Sequence, residues 1–486
     1  MKKRKKLLNK RTRLLIMGMS LSISLIGLLT FSIGLLTTSK ATAQPITPWA
    51  SDTFVDSVGI VAHLSYTDTP YAQNWGKADP SQDIRAIFAD LGIRHVRDGI
   101  AHPTLQPSIA YQRSRLAQLY RDEGIQLITV SDVRKNGILD ASQIGTYLDE
   151  YANGAIDLDG ETFKVRDLLE AIEGPNEYDQ SNHADKRDPN WVKSLKNYQS
   201  ELYSQVKSNP LLSNLPVVMP SLIYTKHCTD KLGALTGTID YGNLHLYPNY
   251  PYFLIPTGNF RWHFSNGQNC FKDKPVYITE TGYQTGGGGI SDRTIAKYLS
   301  RLLPEFFLRP QIKRTYLYSL IDISPESGHW GLVRPERNGQ KIAGYEQFTL
   351  TPKLSYHAVK SLLDLLREGK WVKAERKWAI PPVNPKPVEI LFEGKQDSTH
   401  HLLLQKSTGD YFLLLWQEVE AFNPTAGNFE PPVDEVSVSL PKEYKLQTLY
   451  KYNDSFKLEP IALSENHQMT IQVPDSVVVL HFIPQE

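Results

Sequence analysis

The chain has 486 residues, of which 41% are hydrophobic and 22% charged, with 31 Gly and 31 Pro; this is a globular composition that excludes a collagen-like, low-complexity or disordered chain. The formal charge is +1, yet nine basic and no acidic residues fall in the first 43 positions, leaving 44 basic against 52 acidic residues elsewhere, a net −8. A mildly acidic body argues against a nucleic-acid partner, because counterion-release binding needs a basic face.

The chain opens with an address. The basic start MKKRKKLLNKRTR precedes an uncharged, mostly apolar run from Leu14 to Leu36 and then Ala41-Thr42-Ala43, the layout of a secretory signal over residues 1–43. The apolar run also reaches the roughly 20 residues needed to span a bilayer, so an uncleaved anchor with its basic end inside is the alternative. Either way the body is exported, whether secreted, periplasmic or held on the outer side, and meets the membrane only through this segment. The two cysteines, Cys228 and Cys270, can pair in an oxidising compartment; two free thiols are the alternative.

Beyond the leader, short β-rich apolar runs alternate with amphipathic stretches. Candidate strands are Ser57–Leu64, Ile93–Asp98, Gln126–Ser131, Leu168–Gly174, Pro216–Leu222, Tyr241–Leu246, Val276–Thr281 and Arg314–Leu320. Between them lie helix candidates such as Pro80–Leu91, Leu105–Glu123, Ala141–Asn153, Trp191–Asn209 and Ser291–Phe307, with apolar residues three and four apart. The pattern predicts a (β/α)8 TIM barrel over residues 54–370. A doubly wound sheet is the alternative, but no strand leads through G-x-G-x-x-G into a helix.

A Pro-rich linker is expected at 371–387, where Ala379-Ile380-Pro381-Pro382-Val383-Asn384-Pro385-Lys386-Pro387 cannot continue a helix. Residues 388–486 then read as strands: His401–Gln405, Tyr411–Trp416, Glu435–Leu440, Leu446–Lys451, Met469–Val473 and Val477–Ile483. An antiparallel β-sandwich is the natural packing for them.

A TIM barrel carries its chemistry at the C-terminal strand ends. The fourth strand runs into Gly174-Pro175-Asn176-Glu177, and the seventh ends Tyr277-Ile278-Thr279-Glu280. An acid at the mouth of an apolar strand needs a partner, a ligand or an altered pKa. Two such acids can divide labour, one donating a proton to a glycosidic oxygen while the other attacks the anomeric carbon. Other chemistries lack their motifs: there is no H-E-x-x-H, no C-x-x-C and no G-x-S-x-G, so neither a metal nor another cofactor is expected. The run Gly286–Gly289 lacks a following Lys-Ser/Thr and reads as a flexible loop or lid rather than a phosphate cradle.

The Asn-Glu pair ending strand four and the lone Glu ending strand seven resemble the signature of clan A glycoside hydrolases, the retaining (β/α)8 enzymes. The resemblance implies Glu177 as acid/base, Asn176 as the residue holding the sugar 2-hydroxyl, and Glu280 as nucleophile. Further positions agree with it. Leu244-His245-Leu246-Tyr247 resembles the His-x-Tyr placed beside the nucleophile, Arg97 stands where an Arg pairs with that acid, and Trp330 follows strand eight where an aromatic platform stacks under the sugar. The barrel-plus-sandwich layout resembles families 30, 39 and 79. An oligo- or polysaccharide partner is implied.

Other strand ends carry weaker candidates. His63, Asp98 and Asp132, at the tips of strands one to three, are positioned to bind sugar hydroxyls, with a structural histidine and solvated caps as alternatives. Tyr178, Tyr283 and Tyr318 read as packing, and Glu170 and Glu173 as surface or sheet-end charges. The expected activity is that of a retaining glycosidase on a β-linked glycan. A non-catalytic glycan-binding or cell-envelope structural protein is the other class.

Overall fold

Eight parallel strands form the centre of the molecule: β1 (Val58–Val61), β2 (His95–Asp98), β3 (Gln126–Val130), β4 (Leu169–Glu173), β5 (Val217–Val218), β6 (Gly242–His245), β7 (Val276–Thr281) and β8 (Ile312–Leu317). They pair in chain order, β8 returns to β1, and a parallel bridge from Val218 to Tyr241 closes the ring between β5 and β6. The expected TIM barrel is what the chain forms. The computed structural model describes residues 43–485 apart from 181–187, 249–254, 286–288, 327–328 and 465–466. The export segment, but for Ala43, and Gly286–Gly288 therefore lie outside the described residues. No helix among those described is long and apolar enough to cross a membrane.

The outer layer contains α1 (Ile84–Leu91), α2 (Tyr111–Glu123), α3 (Ile144–Asn153), α4 (Trp191–Ser208), α5 (Phe260–Phe271), α6 (Asp292–Phe307) and α7 (Leu354–Leu366). Their ends follow local chemistry. The Asp83 side chain accepts from Arg85 N at the start of α1, and Ser291 caps α6 through Thr294 N. Helices α1 and α2 stop at Gly92 and Gly124, whose φ of +74° and +67° suit a residue without Cβ. The connection from β5 to β6 holds only one π-helical turn, Cys228–Leu232, in place of a full helix. Cys228 is disulfide-bonded to Cys270, with Cα atoms 5.2 Å apart. Cys270 sits in the last turn of α5.

Two sheets make the sandwich, antiparallel throughout except that Trp49–Ala50 runs parallel to Thr399–Gln405. One holds Gln44–Ile46, Val388–Glu393, Asp434–Ser439 and Gln468–Val473; the other holds Trp49–Ala50, Thr399–Gln405, Tyr411–Gln417, Val478–Pro484, Tyr444–Tyr452 and Leu458–Ala462. The strands Gln44–Ile46 and Trp49–Ala50, ahead of the barrel, thus complete both sheets. Within 371–387 the chain is partly ordered by pairing. Lys370–Val372 and Lys377–Ala379 form a hairpin whose Trp371 and Trp378 indoles donate to Arg121 O and Gly124 O under the barrel.

The strand Tyr411–Gln417 explains why this part of the chain is so apolar. Leu413 and Leu415 enter the sandwich core, while Phe412, Leu414 and Trp416 join the core of the barrel. Helix α6 meets this sheet with a stripe of three charged residues four apart, Lys297, Arg301 and Glu305, each no more than 4% exposed. Burying such charges is costly unless each is paired. Lys297 pairs with Asp475 at 3.1 Å, Arg301 with Glu418 at 3.3 Å, and Glu305 accepts from the Trp416 indole at 2.7 Å.

Candidate active site

The barrel interior is layered. Val61, Ile128, Ala171, Val218, Tyr277 and Tyr316 fill one apolar level. Toward the mouth, Glu173 and Thr279, two residues further along β4 and β7, meet Arg97 of β2 and Asn243 of β6. Arg97 Nε and Nη2 donate to the two oxygens of Glu173 at 2.7 and 2.8 Å; Asn243 Nδ2 donates to Glu173 at 2.9 Å, and Thr279 Oγ1 to Asn243 Oδ1 at 2.7 Å. Glu173 is 0% exposed, so its reading as a surface or sheet-end charge is corrected: it is the counter-ion inside the barrel. Glu170 is also interior, beside a register shift in β4, and pairs with His95 at 2.7 Å and Arg314 at 2.6 Å.

Above this network stand the paired acids. Arg97 reaches both the end of β7 and the loop after β4, donating from Nη1 to Glu280 Oε1 at 2.6 Å and from Nη2 to Asn176 Oδ1 at 2.7 Å. The Tyr247 hydroxyl donates to the other Glu280 oxygen at 2.6 Å. His245 Nδ1 lies 2.7 Å from Glu177 Oε1 and 3.4 Å from Glu280 Oε2. One carboxylate oxygen of each Glu and a nitrogen of His245 all fall within 4.8 Å of one another. Those same three donors are close enough to hold a metal ion, which would occupy both acids. Glu177 adopts φ +44°, an uncommon conformation for a residue with a Cβ, and its N–H is held at 3.2 Å by Ser221 O.

Burial and charge compete over the neighbouring groups. Burial opposes a charged His245, but the Glu280 charge and the Glu177 hydrogen bond outweigh it and raise its pKa above the ordinary imidazole value. Burial likewise opposes Arg97, and the charges of Glu173 and Glu280 more than offset it. His63 goes the other way: burial lowers it to about 4 against the pull of Glu280, which leaves the imidazole neutral at pH 7. Its ring stacks on Tyr66 at 4.7 Å, stands edge-on to Tyr318, and buries Nε2 without a partner.

Glu177, Gln180, Tyr224, His245, Tyr247, Asn259, Trp262, Glu280, Tyr318 and Trp330 line one cavity of about 650 Å³. Trp330 packs edge-on to Tyr247 at 4.8 Å. Tyr318, read as packing, belongs to this wall, whereas Tyr178 and Tyr283 are buried. Asp98 and Asp132 line a separate recess of about 440 Å³ beside strands β1 to β3. Asp98 accepts from Leu64 N, Gly99 N and Gln112 Nε2, and burial nevertheless raises it to about 7. Asp132 pairs with Arg134 at 2.6 Å and accepts from Asn176 N at 3.3 Å, so it braces the loop that carries Glu177. Sequence reasoning missed Asn243, Tyr224, Asn259 and Trp262. The parity with His245 on a buried strand points to Asn243; the other three sit on turns and helix starts that carry no such period.

No family model matches the chain, and no curated protein matches it. Solved structures do. A family 39 glycoside hydrolase from Bacteroides cellulosilyticus shares 15% identity over 90% of this chain and 83% of its own, with TM-score 0.51. A monomeric β-xylosidase from Caulobacter crescentus shares 13% over 92% and 99%, with TM-score 0.53. A glucosidase from Croceicoccus marinus shares 11% over 91% and 97%, with TM-score 0.54. At these identities the likeness is one of fold, and it extends through barrel and sandwich together.

Proposed function

We propose that the protein is an exported, retaining glycoside hydrolase of the clan A type that cleaves a β-linked glycan by double displacement. The observation that carries this reading is the approach of Glu177 to Glu280, with carboxylate oxygens within 4.8 Å of each other. Retaining enzymes hold their carboxyl groups about 5–5.5 Å apart, whereas inverting ones leave about 6.5–9.5 Å for a water. The solved structures of similar fold include a β-xylosidase and a glucosidase, which supports the reading, and the leader over residues 1–43 supports export.

In this mechanism Glu280 attacks the anomeric carbon. The glycosidic C–O bond breaks with its electron pair passing to the leaving oxygen, which takes the proton of Glu177, and a glycosyl ester on Glu280 forms. Water, giving a proton back to Glu177, then attacks the same carbon and releases the sugar and the Glu280 carboxylate. Arg97 and Tyr247 each hold one oxygen of Glu280, fixing the nucleophile's orientation before substrate arrives. Asn176, oriented through its Oδ1 by Arg97 and Ser221, is placed to meet the sugar 2-hydroxyl. Trp330 and His63 complete the sugar side, one as a platform and the other through its unpaired Nε2.

The test is a screen of 4-nitrophenyl β-D-xyloside and β-D-glucoside, with proton NMR of the first-formed product. Retained β-configuration is expected. Glu280→Ala abolishes turnover, and azide added to that variant gives the inverted glycosyl azide from an activated donor. Glu177→Ala spares the first step, read as kcat/KM, for substrates whose leaving group needs no proton, and lowers kcat because the second step has lost its base. Inverted product, or Glu280→Ala at wild-type rates, overturns the assignment; glycan binding without turnover returns the protein to the non-catalytic class.

A further inference from the structure

Trp330 stands on the chain between β8 and α7, and two buried charges clamp that chain from behind. Asp322 is 0% and Lys353 5% exposed. Lys353 immediately precedes α7, and its Nζ lies 2.9 Å from Asp322 Oδ2 and 3.0 Å from Oδ1. Burial raises the pKa of Asp322 and lowers that of Lys353, against the attraction between them. A pair buried in this way adds little stability over apolar packing of the same volume; what it adds here is direction.

The pair grips both neighbours of Trp330. On the residue after it, Asp322 Oδ1 accepts from Gly331 N at 2.6 Å. A Cβ on Gly331 would fall 2.2 Å from Asp322 N, so the two backbones touch with no side chain between them. On the residue before it, His329 O accepts from Thr285 N at 2.9 Å and from Thr285 Oγ1 at 3.0 Å. The Thr285 hydroxyl, its one proton thus used, accepts from Lys353 Nζ at 3.1 Å. Thr285 follows Glu280 by five residues, so one ammonium ties the loop of Trp330 to the loop that leaves the nucleophile. Lys353 and Asp322 are not among the described residues lining the cavity, whereas Trp330, Tyr247 and Glu280 are.

We propose that Lys353, paired with Asp322, is a positioning residue for Trp330 and sets the indole where it meets the sugar held between Glu177 and Glu280. The inference rests on the glycosidase reading and deepens it. Without the ammonium, Asp322 loses its counter-charge and Thr285 loses the donor that orients its hydroxyl toward His329 O. The chain keeps its backbone bonds, from Ser319 N to Trp330 O at 3.1 Å and from Leu332 N to Ser319 O at 2.9 Å. These hold Trp330 on the β8 side and leave its other side free to shift.

The experiment is a double-mutant cycle between Lys353 and Trp330, read as kcat/KM on whichever 4-nitrophenyl glycoside the wild type accepts. Lys353→Met lowers kcat/KM by about fivefold, the worth of one aromatic contact. The loss falls mainly on KM, because a platform under the sugar is met before and during bond breaking alike. Trp330→Ala costs at least as much, and in its background Lys353→Met changes kcat/KM by less than about twofold. Lys353→Met alone leaves a buried Asp322 without its counter-ion, so it is paired with Asp322→Asn, which keeps an acceptor for Gly331 N and strands no charge. This double variant shows the same loss. Wild-type kcat/KM in the double variant, or an equal fold-loss with Trp330 present and with Trp330 replaced, overturns the role of Lys353 and leaves the glycosidase reading intact. A wild-type protein that turns over neither 4-nitrophenyl glycoside overturns the glycosidase reading and this role with it.

Discussion

Arg97 is locked to Glu173 through two parallel hydrogen bonds of 2.7 and 2.8 Å, which leaves Nη1 as the guanidinium group that meets Glu280. The plane of the guanidinium is thus set from below, by a fully buried residue, and transmitted to Glu280. Bidentate Arg–carboxylate geometry is what makes this transmission stiff. Glu173→Ala removes one of two counter-ions from a buried cation, leaving it Glu280, and takes from Asn243 Nδ2 one of its two acceptors, leaving it Met219 O. The expected cost is about 3–5 kcal/mol in urea unfolding, together with loss of activity. Stability within about 1 kcal/mol of wild type would show the pair to be dispensable.

The barrel was legible because its strands repeat one simple constraint. Val276–Thr281 is buried at every position and reads as a β-rich run in the sequence, Val-Tyr-Ile-Thr ahead of Glu280. Glu280 was legible for the same reason, as the one acid in such a run. Glu173 was misread because an acid at a strand end looks alike whether it turns to solvent or inward, and only the position of Arg97 on β2, across β3, decides. The strands Gln44–Ile46 and Trp49–Ala50 were invisible for another reason: three- and two-residue pieces have no period, and their partners lie some 340 to 360 residues further along the chain.

The sandwich reaches the cavity through one carboxylate. Glu418 Oε1 accepts from both Thr257 N and Thr257 Oγ1 at 2.9 Å, two residues before Asn259, and its other oxygen pairs with fully buried Arg301. Glu418→Ala unpins the start of α5 and leaves that cation underpaired. A destabilisation of about 3 kcal/mol is expected, with a rise in KM for the accepted 4-nitrophenyl glycoside. A purely structural role would change stability and leave KM at its wild-type level.

The disulfide closes a loop with 42 residues of sequence separation. On the chain-entropy account a loop of that size is worth about 4 kcal/mol. The paired Cys228→Ser, Cys270→Ser variant is expected to lose about 2–4 kcal/mol, read as a lower denaturant midpoint, and wild type is expected to lose as much on reduction. An unchanged midpoint would mean that the hydrogen bond between Thr229 and Asn266 holds the two segments unaided.

Asp98 makes stability fall with rising pH. Burial raises its pKa from 3.8 to about 7, although three donors and Arg97 pull the other way. Between these two values the folded chain keeps a proton that the unfolded chain has released, so the folded state binds more protons and each step up in pH favours unfolding. The contribution is fully present below about pH 4 and is lost as pH rises through about 7. Three pKa units correspond to on the order of 4 kcal/mol across that window. Asp98→Asn carries no titrating proton and is expected to flatten the slope of unfolding free energy between pH 4 and 7, whatever its absolute stability. An equal slope in the variant and in wild type would assign the pH dependence to other groups and place Asp98 in its charged form, held by Leu64 N, Gly99 N and Gln112.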